Sequence, residues 1–369
     1  MSGPKLHGMD IGVIQWMTLI AALTVATRKL ETSAGENDLT NKLRTIGSLQ
    51  SWIRVTLIVF LTASAAKSQQ AVPVSPPPTS TPKSAQPAEP KPYIFVGAGD
   101  IASCKVIEGA EETAKLIEQT PGEVFAAGDL AYENGTAEEF ANCYGKTWGK
   151  FKNRTHPVPG NHEFNRSKLG SAYFDYWGAQ AGPRGKGYYS FDLGVWHIIA
   201  LNTNCAALGP DGCDADSAEE IWLKQDLAAH PSSCIIALGH HALYSSGVFK
   251  NHALHPELRP FWQDLYEAHA DLMLVGHEHS YERFAPQDPN GNADPKNGIR
   301  QIVVGTGGRS HDPLGFPIPN SETRNADSFG VLKLTLWPGR YSWEFIPVDA
   351  AHGFRDSGEG VCHNVQPTN

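Results

Sequence analysis

The chain has 369 residues and a formal net charge of -9, from 30 Lys and Arg against 39 Asp and Glu. No basic cluster offsets that balance, which excludes a stable nucleic-acid partner, although a local cation site can still reverse the field around a small phosphorylated molecule. Oligomeric state is not legible from composition.

Residues 1–50 read as a poorly structured leader or an extended gene model. At 51–66, Arg54 precedes a short apolar run that ends in Ala63, Ser64, Ala65 and Ala66, the anatomy of a secretory signal. The run is too short for a comfortable membrane helix. These features predict a mature N-terminus near Ala66 or Lys67, a secreted or periplasmic location and no permanent membrane span after cleavage. Residues 67–92 are rich in Pro, Ser and Ala around Ser75-Pro76-Pro77-Pro78 and read as an extended linker with nothing to pack. The remainder, 93–369, is long enough for one sizeable domain.

Within it, apolar runs at 93–98, 124–127, 234–238 and 272–275 read as buried strands, and 111–119, 136–144, 218–229 and 257–268 place apolar residues at helical spacing. That alternation predicts α/β layers. Segments 187–193, 196–201, 300–304, 330–336 and 341–347 read as strands with few helices between them and are expected to form a second sheet. All six cysteines lie downstream of the signal, which suits an exported protein with up to three disulfides. Cys205 and Cys213 flank Gly209-Pro210-Asp211-Gly212 and can close a short loop, leaving Cys104 with Cys143 and Cys234 with Cys362 by elimination. Buried free thiols are the alternative.

The strand ends carry the chemistry. Gly99-Asp100, Gly128-Asp129-Leu130-Ala131-Tyr132, Gly160-Asn161-His162-Glu163, Gly239-His240-His241 and Gly276-His277-Glu278-His279 each put a polar side chain beside a glycine, and four of the five follow an apolar run. Any one block alone is an ordinary turn or a satisfied core residue. Five in succession are not. Asp100, Asp129, Tyr132, Asn161, His240, His277 and His279 mix hard oxygens with imidazole nitrogens, which suits two adjacent Fe, Mn or Zn ions sharing a carboxylate at a separation of roughly 3.5–4 Å. Asp129 is the expected bridge.

These blocks, in this order, resemble the calcineurin-like metallophosphoesterase superfamily, and Gly128-Asp129-Leu130-Ala131-Tyr132 resembles its purple acid phosphatase branch. The resemblance implies an α/β fold, a four-layer α/β/β/α sandwich of two mixed sheets flanked by helices, over 93–369. It implies Asp100, Asp129, Tyr132 and His279 on an Fe(III) ion, and Asp129, Asn161, His240 and His277 on Zn, Mn or Fe(II). It further implies hydrolysis of phosphate esters, phosphomonoesters first, with a metal-bound hydroxide as nucleophile. Phosphodiesterase or nucleotidase activity at the same site is the alternative, and a non-catalytic secreted binding domain is the rival from another class. Two departures stand out. Asp100 is followed by Ile101 and Ala102, so the histidine of the common Asp-x-His block is missing and Tyr132 takes its place. His240 is followed by His241-Ala242, which leaves His240 favoured and His241 the alternative ligand. His162 and His252 are the expected catalytic histidines. Gly305-Thr306-Gly307-Gly308 lacks the spacing of a phosphate-cradling loop and reads as a turn after a strand. The missing Gly-x-Ser-x-Gly elbow argues against a serine hydrolase.

Overall fold

A computed structural model describes residues 90–231, 234–248 and 255–364. The expected leader, the signal, nearly all of the linker and His252 lie outside the described residues. In chain order the elements are β1 (Tyr93–Ala98), β2 (Ala102–Ser103), α1 (Glu108–Gln119), β3 (Glu123–Ala127), β4 (Ala131–Tyr132), α2 (Ala137–Asn142) and β5 (Thr155–Val158). Then come α3 (His162–Asn165), α4 (Ser171–Trp177), β6 (Tyr189–Leu193), β7 (Trp196–Ala200), α5 (Ala218–Ala229), β8 (Cys234–Leu238) and α6 (Arg259–Glu267). The last are β9 (Leu272–Val275), β10 (Tyr281–Phe284), β11 (Arg300–Val304), β12 (Ser321–Asn325), β13 (Gly330–Trp337), β14 (Arg340–Pro347) and β15 (Ser357–Val361).

Among the described residues the strands form two large mixed sheets, in the orders β15-β14-β13-β1-β3-β5 and β12-β10-β11-β9-β8-β7-β6, and a small β2-β4 pair. The late strands do not make a sheet of their own. β13 and β14 extend the first sheet through the antiparallel pairing of β1 with β13, whereas β6, β7 and β11 flank β8 and β9 in the second. Pairing between segments far apart in the chain decides this, and local periodicity carries no record of it.

The layers follow from strand alternation. On β8, Ile236 and Leu238 face the core shared with β1, β3 and β13, while Ile235 and Ala237 face the outer cluster with Leu223 and Leu227 of α5 and Phe261 and Leu265 of α6. Leu272 and Leu274 of β9 face inward, and Met273 and Val275 outward. Both faces are covered, so these parallel strands read as continuous apolar runs. On the far side α1 buries Ala110, Ala114 and Ile117, one helical stripe. Thr136 and Glu139 form a capping box that starts α2, and Ser217 caps α5 by accepting from the Glu220 amide. Truncating a side chain such as Ile236, fully buried between the sheets, to alanine costs about 2–5 kcal/mol.

Three disulfides join Cys104 to Cys143, Cys205 to Cys213 and Cys234 to Cys362, the pairing expected from the sequence. No helix among the described residues is long and apolar enough to cross a membrane.

Candidate metal centre

Parallel neighbours β1, β3 and β5 end together at one edge of the first sheet, and the parallel pair β8 and β9 ends at the facing edge of the second. Asp100, Asp129 and Asn161 therefore hang from one sheet and His240, His277 and His279 from the other. The chain turns abruptly at these ends. Asp100, Asp129 and His277 adopt left-handed backbone with φ of 61°, 52° and 70°, each a strain of order 1–3 kcal/mol for a residue with a Cβ. Glycine makes the approach possible: a Cβ on Gly128 would stand 2.4 Å from His240 Nδ1, and one on Gly160 would stand 2.1 Å from Asp129 Oδ1.

The polar atoms gather into two constellations. In the first, the Tyr132 hydroxyl lies 2.8 Å from Asp100 Oδ1, 3.0 Å from Asp129 Oδ2 and 3.1 Å from His279 Nε2. In the second, His240 Nε2 lies 3.3 Å from Asp129 Oδ2, 3.2 Å from Asn161 Oδ1 and 3.1 Å from His277 Nδ1. Asp129 Oδ2 belongs to both. His240 Nδ1 donates to the Ala127 carbonyl at 2.8 Å, which leaves the lone pair of Nε2 aimed into the cluster. One phenol hydrogen cannot serve both carboxylate oxygens, Asp100 Oδ1 and Asp129 Oδ2, so anionic oxygens converge on the phenol. Asp100, Asp129 and His240 offer donor atoms within 4.8 Å of one another, all buried. This donor set fits a pair of cations.

The electrostatics favour positive charge at the same place. Burial opposes protonation of His240, but Asp129 and then Asp100 outweigh it and push the imidazole up to about 9. Burial also acts to raise the Asp129 carboxyl, yet His240, His162 and His277 hold it well below the usual carboxylate range. Burial, and next the Asp100 and Asp129 carboxylates, push the Tyr132 phenol far up. Only a cation close to its oxygen makes phenolate favourable there.

Of the expected catalytic histidines, His162 stands beside the first constellation. Its ring centroid is 4.3 Å from that of Tyr132, its Nδ1 meets the Glu133 carbonyl at 2.7 Å, and its Nε2 lies 3.8 Å from Asp129 Oδ2. His241 offers a ring nitrogen within 4.8 Å of those of His240 and His277 and stays the alternative ligand, while its Nδ1 pairs with Thr203 Oγ1 at 3.0 Å and its ring packs 4.4 Å from that of His277. His255, outside the expected site, lies 4.5 Å from the His241 ring and 5.5 Å from the His277 ring.

Sequence reasoning missed the residues that hold the ligands in place. Glu163 accepts from the amides of Gly160 (2.7 Å), Leu130 (2.9 Å), Asp129 (3.0 Å) and Ala131 (3.3 Å), tying the Asn161 turn to the Asp129 turn. Thr203 Oγ1 accepts from the amides of His241 at 2.9 Å and His240 at 3.1 Å. Ser310 Oγ pairs with His279 Nδ1 at 2.6 Å. Arg309 binds Glu133 at 2.7 Å and lies over the Tyr132 ring. The signal for Glu163 was its place two residues after Asn161; Thr203, a lone threonine past an apolar strand, carried none.

The calcineurin-like phosphoesterase family model matches residues 83–281. Purple acid phosphatase 15 of Arabidopsis thaliana is 29% identical over 226 residues, which span 52% of this chain and 41% of that protein. Acid phosphatase type 7 of Homo sapiens is 30% identical over 214 residues, 50% of this chain and 47% of that one. The chain thus spans less than half the length of these relatives. The structure of purple acid phosphatase PPD1 from yellow lupin (Lupinus luteus) seeds superimposes with a TM-score of 0.59 at 20% identity, covering 76% of this chain and 57% of that one, a likeness of fold.

Proposed function

This chain belongs to the calcineurin-like phosphoesterase family, on its purple acid phosphatase-like branch, and from that membership we propose that it hydrolyses phosphomonoesters at a dinuclear metal centre outside the cytoplasm. The observation that carries this reading is the shared oxygen, Asp129 Oδ2, common to the Tyr132 and the His240 constellations. Asp100, Asp129, Tyr132 and His279 would hold one ion, in the ferric state that phenolate favours, and Asp129, Asn161, His240 and His277 the other. When bound, such a pair supplies Lewis acidity and activates water for attack on phosphorus.

Residues of the chain do the rest. Water adds to phosphorus, the phosphorus–oxygen bond to the alcohol breaks, and the departing oxygen takes a proton. His162, oriented through Nδ1 by the Glu133 carbonyl, presents Nε2 at the site edge and can hold or give that proton. Glu163 fixes the Asp129 and Asn161 turns of the first sheet, and Thr203 the His240 turn of the second. The three disulfides support export, since an oxidising compartment preserves them.

Metal analysis of the purified protein, with turnover of aryl monoester and diester phosphates before and after chelation, tests the reading. Two metals per chain and chelator-sensitive monoester hydrolysis are expected. A metal-loaded protein that turns over diesters alone would move the assignment to phosphodiesterase, and one that turns over neither would leave a binding domain. Mass spectrometry of exported protein should find an N-terminus near Ala66 or Lys67.

A further inference from the structure

A cavity of about 380 Å³ opens directly beside the His240 constellation, with Asn161 and His241 in its wall, and its volume lies within the ordinary range of small-molecule sites. Phe164, Ala206 and Ala207 line it with carbon, and Lys168 and Glu257 bring opposite charges to it, with Glu257 Oε1 meeting His255 Nδ1 of the same wall at 2.9 Å. Phe164 is three residues beyond Asn161, and its amide donates to the Asn161 carbonyl at 3.0 Å. The two side chains therefore share one face of a helical turn, with Cβ atoms on the order of 5–6 Å apart. The ring rests on Gly170, where an added Cβ would come within 2.8 Å of Phe164 Cε1. Ala206 and Ala207 sit on the short loop closed by the Cys205–Cys213 disulfide, which fixes that wall. On the Tyr132 side of the centre, Arg309 is already engaged with Glu133 at 2.7 Å.

Building on the phosphomonoesterase reading, we propose that this cavity receives the leaving group, and that Phe164 selects esters of phenol-type alcohols by stacking on their ring, with polar substituents at the far end placed between Lys168 and Glu257. The spacing decides the class. An aromatic wall one helical turn from a phosphate-side ligand meets a ring attached directly to the ester oxygen, whereas a short aliphatic alcohol stops before reaching it. O-phosphotyrosine and O-phosphoserine carry the same charged tail and differ in the ring, so they are the diagnostic pair.

The test uses the metal-loaded protein with the variants F164A and F164L, and two readouts. First, kcat/KM is measured on O-phosphotyrosine and O-phosphoserine. Relative to wild type, F164A should lose about three- to tenfold on phosphotyrosine, the range of one aromatic contact, and stay within about twofold on phosphoserine. F164L, which keeps apolar bulk without a flat face, should fall between. Second, calorimetry follows binding of phenylphosphonate and methylphosphonate, which are not hydrolysed. Phenylphosphonate should bind more tightly to wild type, and F164A should narrow the gap. Equal losses on both substrates, or equal affinity of wild type for both phosphonates, overturn the assignment of Phe164. Ring-dependent phosphonate binding without turnover of either ester would instead defeat the phosphatase reading and leave the cavity's selectivity standing.

Discussion

Two clusters of histidine and aspartate lie in the fold, and they solve opposite problems. At the far edge of the second sheet, buried His197 is gripped by Asp192 at Nδ1 (2.8 Å) and by Asp226 at Nε2 (2.7 Å), Ser190 donates to the other oxygen of Asp226 (2.8 Å), and His230 stacks on the His197 ring at 3.8 Å. Asp192, His197 and His230 gather as tightly as the ligand cluster does, within 4.8 Å. Yet both nitrogens of His197 and both oxygens of Asp226 have partners there, and the cluster ties β6, β7 and α5 together as a self-contained bridge. At the sheet ends, two buried carboxylates converge on one phenol oxygen and His240 Nε2 meets Asp129, Asn161 and His277 at once. Residue type and proximity alone do not mark a metal site; what sets the sheet-end cluster apart is the convergence of buried carboxylate, phenol, amide and imidazole atoms on one shared oxygen, Asp129 Oδ2.

Removing the shared carboxylate should separate the two clusters most sharply. Asp129→Asn is expected to lower metal content at both positions and to reduce turnover by more than the roughly 100-fold that outer-sphere substitutions cost. Metal per chain and kcat/KM check it, and two retained metals with near-native turnover would show that Asp129 is not the bridge. Asn161→Ala should weaken one position chiefly.

Next in size is Tyr132→Phe. The iron-loaded wild type should carry a visible phenolate charge-transfer band, and the variant should lose it while keeping its fold and part of its activity, because Asp129 still serves both positions. The iron should also become easier to reduce, since an anionic ligand has gone. An unchanged spectrum would remove Tyr132 from the ligand set.

The smallest effect belongs to the bridge at the far edge, and it should appear in stability rather than in catalysis. Burial opposes the charge on His197, but hydrogen bonds to Asp226 and Asp192 outweigh it and raise its pKa above the ordinary 6.5. Burial likewise opposes the Asp226 carboxylate, and His197 and Ser190 overcome it and hold its pKa below the ordinary 3.8. A raised base stabilises fully below its unfolded pKa, and a depressed acid fully above its own. The bridge is therefore complete between 3.8 and 6.5 and weakens as pH rises through the His197 value. Asp226→Asn should cost about 1.5–3 kcal/mol near pH 6 and much less at pH 9, with metal content unchanged. Thermal melts at the two pH values measure it, and a loss that does not vary with pH would show that His197 is not charged.

Much of this was legible in the sequence because strand ends are local. The runs at 93–98, 234–238, 272–275 and 300–304 became strands with the same bounds, and a glycine just before Asp100, Asp129, Asn161, His240 and His277 marked the turns. Tyr132 was legible as the replacement for an absent histidine, and the structure places its hydroxyl among Asp100, Asp129 and His279. What escaped was set by distance along the chain. Tyr93 pairs with Leu336, and Arg300 with Leu272, registers that no window of residues contains, so the late strands were assigned to one sheet instead of two. Thr203 escaped because a lone threonine after a strand has no signature until the amides of His240 and His241 are seen to point at it. The short strands β10, β12 and β15 escaped as well, their sequences being too polar or too glycine-rich to alternate clearly.

The split of donors between the sheets also bears on how the protein matures. The first sheet alone gathers oxygens, and the second alone gathers imidazoles; a half-assembled chain offers either set but never both. On the proposed reading, ion capture would become a checkpoint that only a closed sandwich passes, and filling it would lock the closure. At a thousandfold excess of free ion over its dissociation constant one such site would add about 4 kcal/mol to the closed state, so the metal supply would then govern the heat tolerance of the folded chain.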